Sequence, residues 1–392
     1  MTWTRRRCLT AMLSCPAIRI SSAHAAGSEP PIGKAVADVA GPLMREHGVP
    51  GLALGVVTPQ GRETFTFGVA SKDTGRPVTT DTLFEIGSVS KTFTATLAAY
   101  AEARGQLDLN DPVTTLVPEL KGSALDEVSL LNLATHTSGG MPLQFPDWVK
   151  SPAEMWEFYR TWRPSGEPGS SRTYANPSIG LLGLAAARAM KADFADLSER
   201  VLYPALDLQN TYLDVPAARQ ASYAQGYTRH DLPARLTPGV LAEEAYGVRT
   251  TVADLTRFME ANMGRHGLDS DVAKALSTTH LEHFRLGPMR QALVWEHYAR
   301  PVTLEDLLAG NSAEVAYRPN KVTRITPPAV PRPGAWVNKT GSTNGFGAYV
   351  AFAPAQGIGV VLLANKNYPV KARVAAAFKI MTKLAEASAP HD

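Results

Sequence analysis

The sequence predicts a split α/β fold, in which strands from both ends of the chain flank a mainly helical insertion. Three observations carry this. Residues 52–57 and 64–69 read as two strands joined around Pro59-Gln60-Gly61. Residues 337–341, 347–352 and 358–364 bring the strand pattern back near the C-terminus, with Ala355-Gln356-Gly357 turning between the last two. Residues 107–290 carry mostly helical periodicity cut by proline and glycine. Strands at both ends with helices between place residues 26–85 and 291–392 in one α/β unit and residues 86–290 in a helical one. A site is expected in the crevice between them.

The chain has 392 residues, 44% hydrophobic and 19% charged. That is the composition of a soluble globular protein, with ample length for a large core and two to three structural units. Residues 1–25 read as an export signal rather than as part of the fold. Arg5-Arg6-Arg7 precedes the apolar stretch Cys8-Leu9-Thr10-Ala11-Met12-Leu13, and Ala23-His24-Ala25 is a small-x-small cleavage signal. Pro16 and Arg19 weaken the apolar region, and Thr4-Arg5-Arg6-Arg7-Cys8-Leu9 resembles a twin-arginine signal. A cytosolic tail is the alternative. Cleavage after Ala25 removes four arginines and no acid, taking the formal charge from +3 to −1. The basic balance therefore does not indicate nucleic acid or an anionic membrane. Both cysteines, Cys8 and Cys15, leave as well, so the mature chain holds no disulfide and no thiol nucleophile. Met12-Leu13-Ser14 gives little support to Cys15 as a lipid-modified cysteine. No later run reaches the 18 or more apolar residues of a spanning helix. The expected location is the periplasm, free of the membrane and monomeric.

Residues 32–47 place Ile32, Val36, Val39 and Leu43 on one helical face, and Gly48-Val49-Pro50-Gly51 ends that helix. After the first two strands a second helix begins near Ser88. Val89, Phe93 and Leu97 recur every fourth residue, Tyr100 follows, and Gly105 is a stop. Residues 130–135 precede the turn Ser138-Gly139-Gly140-Met141-Pro142, and residues 152–162 form a short helix. A polar turn over residues 170–177 enters a helix over 178–190. Residues 203–246 read as a long loop, and 251–263 and 370–385 as helices.

Three short elements can carry chemistry. In Ser88-x-x-Lys91 the two residues share a helical face, so the ammonium reaches the hydroxyl. The helix N-terminus favours negative charge there, and a serine nucleophile needs both a base and an oxyanion site. An N-cap role for Ser88 is the alternative. In Tyr174-Ala175-Asn176, a phenol beside a serine acts as a base once neighbouring cations lower its pKa, and Asn176 offers a donor and an acceptor. In Lys339-Thr340-Gly341-Ser342, strand alternation puts Lys339 and Gly341 on one side. Gly341 admits close approach, and the strand edge can pair with a substrate amide. Each element alone is common in ordinary proteins. His280-Leu281-Glu282-His283 offers metal donors without matching partners, and His136-Thr137-Ser138 reads as a structural turn. No nucleophile elbow, phosphate-binding loop or His-Glu-x-x-His is present.

Taken in order, Ser-x-x-Lys, Tyr-x-Asn and Lys-Thr-Gly resemble the penicillin-recognising serine enzymes. Their surroundings resemble class C β-lactamases in particular. These are the run from Phe84 to Phe93, Pro142-Leu143-Gln144-Phe145-Pro146-Asp147, Ala245-Tyr246-Gly247-Val248, the run from Lys339 to Gly347, and Leu363-Ala364-Asn365-Lys366-Asn367-Tyr368-Pro369. The resemblance spans about residues 30–385. It implies a fold with an antiparallel sheet flanked by helices beside a mainly helical domain, and hydrolysis of cephalosporins and penicillins through an acyl-enzyme, without metal or organic cofactor. By the same resemblance Ser88 is the nucleophile, Lys91 takes or relays its proton, and Tyr174 serves in proton transfer and activates the deacylating water. Lys339 holds Tyr174 and the substrate carboxylate electrostatically. The N–H groups of Ser88 and Ser342 form the oxyanion hole, with Thr340 and Gly341 on the binding edge. Gln144 and Asn176 bind the side-chain amide, Tyr246 lines the pocket, and Asn367 helps bind the carboxylate. One departure is Val370, where many relatives carry asparagine. The rival readings are a D-alanyl-D-alanine carboxypeptidase, an esterase of the family VIII type (against which the intact Lys-Thr-Gly counts), and a non-catalytic penicillin-binding sensor.

Overall fold

The computed structural model describes residues 31–265 and 267–387. The expected export segment lies outside the described residues. The opening helix α1 (Pro31–His47) buries Val36, Val39 and Leu43. Gly48 ends it at φ 58, a left-handed conformation that glycine adopts without a Cβ penalty. Strands β1 (Gly51–Thr58) and β2 (Gly61–Gly68) follow as an antiparallel hairpin.

Later strands complete the sheet: β3 (Glu282–Leu286), β4 (Met289–Gln291), β5 (Glu296–Tyr298), β6 (Thr323–Ala329), β7 (Trp336–Ser342), β8 (Gly347–Ala353) and β9 (Ile358–Ala364). Among the described residues they form a nine-stranded sheet in the order β6-β3-β4-β5-β7-β8-β9-β1-β2. Every pairing is antiparallel. The two ends of the chain join at β1–β9, with Leu52 opposite Ala364 and Val57 opposite Gly359.

The sheet resumes at Glu282, earlier than the expected boundary at 291, so β3 and β4 lie inside the stretch read as helical. These strands are short and carry charged residues, so they show no apolar alternation; pairing with their neighbours imposes the extended form. In β6, Pro327 and Pro328 are tolerated because it is an edge strand. The loop expected over 203–246 holds short pieces, including a paired Gly226–Tyr227 and Pro233–Ala234 and a helical turn at Ala242–Tyr246.

Helices cover both faces of the central strands. They are α1 and α6 (Val370–Ala387) on one face and α4 (Val252–Asn262) on the other, with α2 (Ser90–Ala103), α3 (Asn176–Ala189) and α5 (Ser270–Thr279) packing farther from the sheet. On one face α1 and α6 pack Val39, Val374 and Ile380 against Leu52, Leu54 and Leu362. On the other, Val252, Leu255, Phe258 and Met259 of α4 meet Ala53, Val57, Val361 and Leu363. Burial on both faces explains why β1, β8 and β9 are buried along their whole length despite being antiparallel.

Helix α2 joins the two halves of the molecule. Its Phe93 and Leu97 belong to the sheet-side core, and Phe93 stacks on Phe258 with centroids 4.1 Å apart. Its Ala95, Ala98 and Ala99 belong to the helical core with Ile179, Leu182 and Leu131. Small residues there let α3 approach closely. Threonines on a helix buried this fully would be costly unpaired; Thr92 and Thr96 donate to the carbonyls of Val89 and Thr92. The N-terminal end of α2 is thereby fixed at the junction of the sheet and the helical part.

Candidate active site

Ser88 sits in one 3-10 turn, Gly87–Val89, that runs into α2. Neither helix start is capped by a side chain, so an N-cap role for Ser88 is not what the geometry shows. Two glycines allow this turn to lie against β7. A Cβ on Gly87 would stand 2.6 Å from Ser342 N and 2.5 Å from Ser342 O. A Cβ on Gly341 would stand 1.9 Å from the Ile86 carbonyl. Strand β5 pairs with β7 only as far as Asn338, so residues 339–342 present an open edge to the Ser88 turn.

The Lys91 ammonium donates to Ser88 Oγ at 3.1 Å and to the Ala245 carbonyl at 2.6 Å. Tyr174 enters from the turn before α3. Lys91 Nζ lies 5.4 Å and Lys339 Nζ 5.1 Å from its ring centroid, with the Arg172 guanidinium at 5.3 Å. The ring is partly exposed, but its hydroxyl is buried and meets no partner at full hydrogen-bond geometry. Burial pushes Lys91 down to about 8, opposed by attraction to Tyr174. Burial would push the Tyr174 phenol up, but Lys339, Lys91 and the Ser88 hydroxyl outweigh it and bring it down to about 8. His136 packs against Tyr174 with ring centroids 4.2 Å apart and accepts the Ala175 N–H through Nδ1. Burial and the neighbouring cations hold His136 neutral. It packs behind Tyr174 without lining the cleft, in line with the structural turn expected there.

The cleft measures about 490 Å³, and Ser88, Tyr174, Lys339, Thr340, Gly341 and Ser342 line it. Gln144, Asn176, Tyr246 and Asn367 line it too, so every site residue expected from sequence except the fully buried Lys91 opens on this one cleft. Asn176 Nδ2 donates to Gln144 Oε1 at 2.8 Å, while Asn176 Oδ1 is buried without a partner. Val370 lies in the same wall as Asn367 and presents no donor.

Sequence reasoning missed Arg172 and Glu296. Arg172, buried, donates to Glu296 Oε1 at 2.8 Å, to Gln291 Oε1 at 2.6 Å and to the Val315 carbonyl at 3.0 Å. It ties the Tyr174 turn to β4, β5 and the opposite wall of the cleft. No periodicity or motif marks two residues this far apart in the chain. Glu296→Ala strands a guanidinium that is 1% exposed. Its expected cost is about 3–5 kcal/mol in denaturant unfolding; a loss under about 1 kcal/mol would show that the pair is not a buried one.

His280 serves packing, stacking on Trp295 with ring centroids 5.6 Å apart. His280 bonds His297 at 3.2 Å and Asn262 at 2.9 Å. Among the described residues no group of three or more His, Cys, Asp and Glu is placed to hold a metal ion, and no helix is long and apolar enough to cross a membrane.

An antiparallel sheet flanked by helices, with a serine–lysine turn facing a lysine-bearing strand, defines the serine β-lactamase and penicillin-binding-protein class of fold. Comparison with known proteins narrows the class. Residues 36–383 match the Beta-lactamase family, and the chain belongs to it. A beta-lactamase of Pseudomonas fluorescens is 46% identical over 343 residues, 88% of this chain and 96% of that one. The crystal structure of D-alanine carboxypeptidase AmpC from Burkholderia cenocepacia superposes with a TM-score of 0.86 at 48% identity, over 90% of this chain and 98% of that one. A class C beta-lactamase in complex with cefoxitin superposes with a TM-score of 0.87 at 42% identity, over 90% and 98%.

Proposed function

We propose that this chain is an exported class C β-lactamase that hydrolyses the β-lactam amide of cephalosporins and penicillins through an acyl-enzyme on Ser88. The observation that carries the reading is the convergence of Lys91 Nζ on Ser88 Oγ beside a buried phenol facing Lys91 and Lys339. Attraction to Tyr174 raises Lys91 while Lys91 lowers Tyr174, so the two hold a proton as a coupled pair. Ser88 Oγ attacks the lactam carbonyl and its proton passes to that pair. The oxyanion is held by the N–H groups of Ser88 and Ser342. The carbonyl–nitrogen bond breaks as the ring nitrogen takes the proton back from the pair. A water then attacks the ester, the Tyr174 oxygen accepts its proton, and the Ser88 Oγ–carbonyl bond breaks with Oγ reprotonated. Lys339 keeps the phenolate accessible and attracts the substrate carboxylate. Gln144 and Asn176 hold the side-chain amide, Tyr246 and the Thr340–Gly341 edge shape the pocket, and Asn367 assists the carboxylate.

The test is intact mass during turnover of a cephalosporin, read together with loss of lactam absorbance. Fast loss of substrate with a transient adduct is expected. A long-lived adduct with little turnover would favour the second reading, a D-alanine carboxypeptidase, which the Burkholderia cenocepacia relative's name supports. The arginine-led N-terminus and the Ala23-His24-Ala25 signal support export to the periplasm. Cell fractionation showing full-length chain in the cytosol would reject export.

Val370, in the wall that holds Asn367, offers a substrate carboxylate no side-chain donor. Val370→Asn is expected to lower KM for a cephalosporin about tenfold, the worth of a hydrogen bond to a charged group. An unchanged KM would show that the donor at this position is dispensable here.

A further inference from the structure

We infer that Arg373 is a positioning residue of the oxyanion hole, polarising the one peptide group that joins Gly341 to Ser342. The inference rests on the proposed acyl-enzyme reading. Arg373 lies in the first turns of α6 and is 0% exposed. Among the described residues no carboxylate pairs with it, unlike buried Arg172, which has Glu296. An unpaired buried guanidinium is costly, so its surroundings must return something. Nη1 donates to the Gly341 carbonyl at 2.6 Å and to Ser342 Oγ at 2.9 Å, and Nη2 donates to the Tyr368 carbonyl. The guanidinium carbon lies 4.8 Å from the Tyr368 ring centroid. A Cβ on Gly347, the residue opposite Ser342 in the sheet, would stand 2.7 Å from that carbon, so the hairpin leaves room only for glycine there.

The geometry gives this contact a direction. Gly341 C=O and Ser342 N–H belong to the same trans peptide and point opposite ways. Arg373 occupies the carbonyl side. The other side faces the Ser88 turn, where Gly87 abuts Ser342 N and O. A cation bonded to the carbonyl withdraws electron density from the peptide and strengthens its N–H as a donor. The charge also stands behind the oxyanion through a single peptide, and because Arg373 is 0% exposed, water does not screen it directly. Burial lowers Arg373 to about 10, so it stays charged at neutral pH.

The experiment compares wild type, Arg373→Gln and Arg373→Lys by infrared difference spectroscopy, using cefoxitin labelled with ¹³C at the lactam carbonyl. The frequency of the acyl-enzyme ester carbonyl reports how strongly the oxyanion hole holds it. In Arg373→Gln the band is expected at higher frequency, with acylation slowed about tenfold, a fraction of the effect of deleting a whole oxyanion donor. KM should change less. Arg373→Lys keeps the charge but cannot span all three acceptors, so its band should fall between. Thermal melting checks folding, and if Arg373→Gln does not fold, Arg373→Lys carries the test. A wild-type band together with wild-type acylation in a folded variant overturns the inference. Failure of the wild-type enzyme to form any Ser88 adduct would instead reject the acyl-enzyme reading.

Discussion

Ser88→Ala should lower β-lactam turnover by about 10⁴-fold or more and abolish the covalent adduct, because it removes the hydroxyl that Lys91 Nζ meets. The neighbouring Ser90 cannot substitute: it is fully buried and its Oγ accepts the Val248 N–H at 3.0 Å. The fold should survive. Ser88 caps no helix, and Lys91 keeps its bond to the Ala245 carbonyl when the hydroxyl is gone. Turnover, intact mass and thermal melting on the same preparation make the test. A cephalosporin adduct on the alanine variant, or wild-type turnover, would move the nucleophile away from Ser88.

Tyr174→Phe should slow turnover by about 10²- to 10⁴-fold, the usual worth of a positioned acid–base group. Its pH profile separates two mechanisms. In the wild type the active form is the one lacking a proton on the Lys91–Tyr174 pair. The rate is therefore expected to rise with pH through about 8 and to be lost on the acid side. Phenylalanine also removes the partner whose attraction raises Lys91. The Lys91 titration then moves lower, and any remaining rate should rise at lower pH than in the wild type. Near-normal turnover with the limb displaced in this way would make Lys91 the main base. The effect on stability should be small, since the hydroxyl makes no bond at full geometry.

Long elements with a strong apolar pattern are legible in the amino-acid sequence alone. Val36, Val39 and Leu43 mark α1, and the all-apolar runs of β8 and β9 mark buried strands. Both follow from local periodicity, which the tertiary structure kept. The pieces that were not legible are those whose form comes from their neighbours. Strands β3 and β4 carry Glu282, Arg285 and Arg290 and are extended because they pair with each other and with β5. Helix α2 reads as amphipathic from Val89, Phe93 and Leu97, yet both its faces are buried, since a core lies on each side.

The same division holds at the site. Ser88 and Lys91 are legible because their relation is local: three residues apart, they meet as the turn enters a helix. Short motifs likewise mark Tyr174, Asn176 and Lys339. The sequence by itself determined which reactive groups exist and that a serine–lysine pair would form. Only the tertiary structure decided what surrounds them. It set both Lys339 and Lys91 against the Tyr174 ring, placed Arg172 and Glu296 as a buried pair behind the phenol, and put Arg373 behind the Gly341–Ser342 peptide. The physical reason is that burial and through-space charge set pKa values and donor strength. Both depend on groups the chain brings together from tens to hundreds of residues apart.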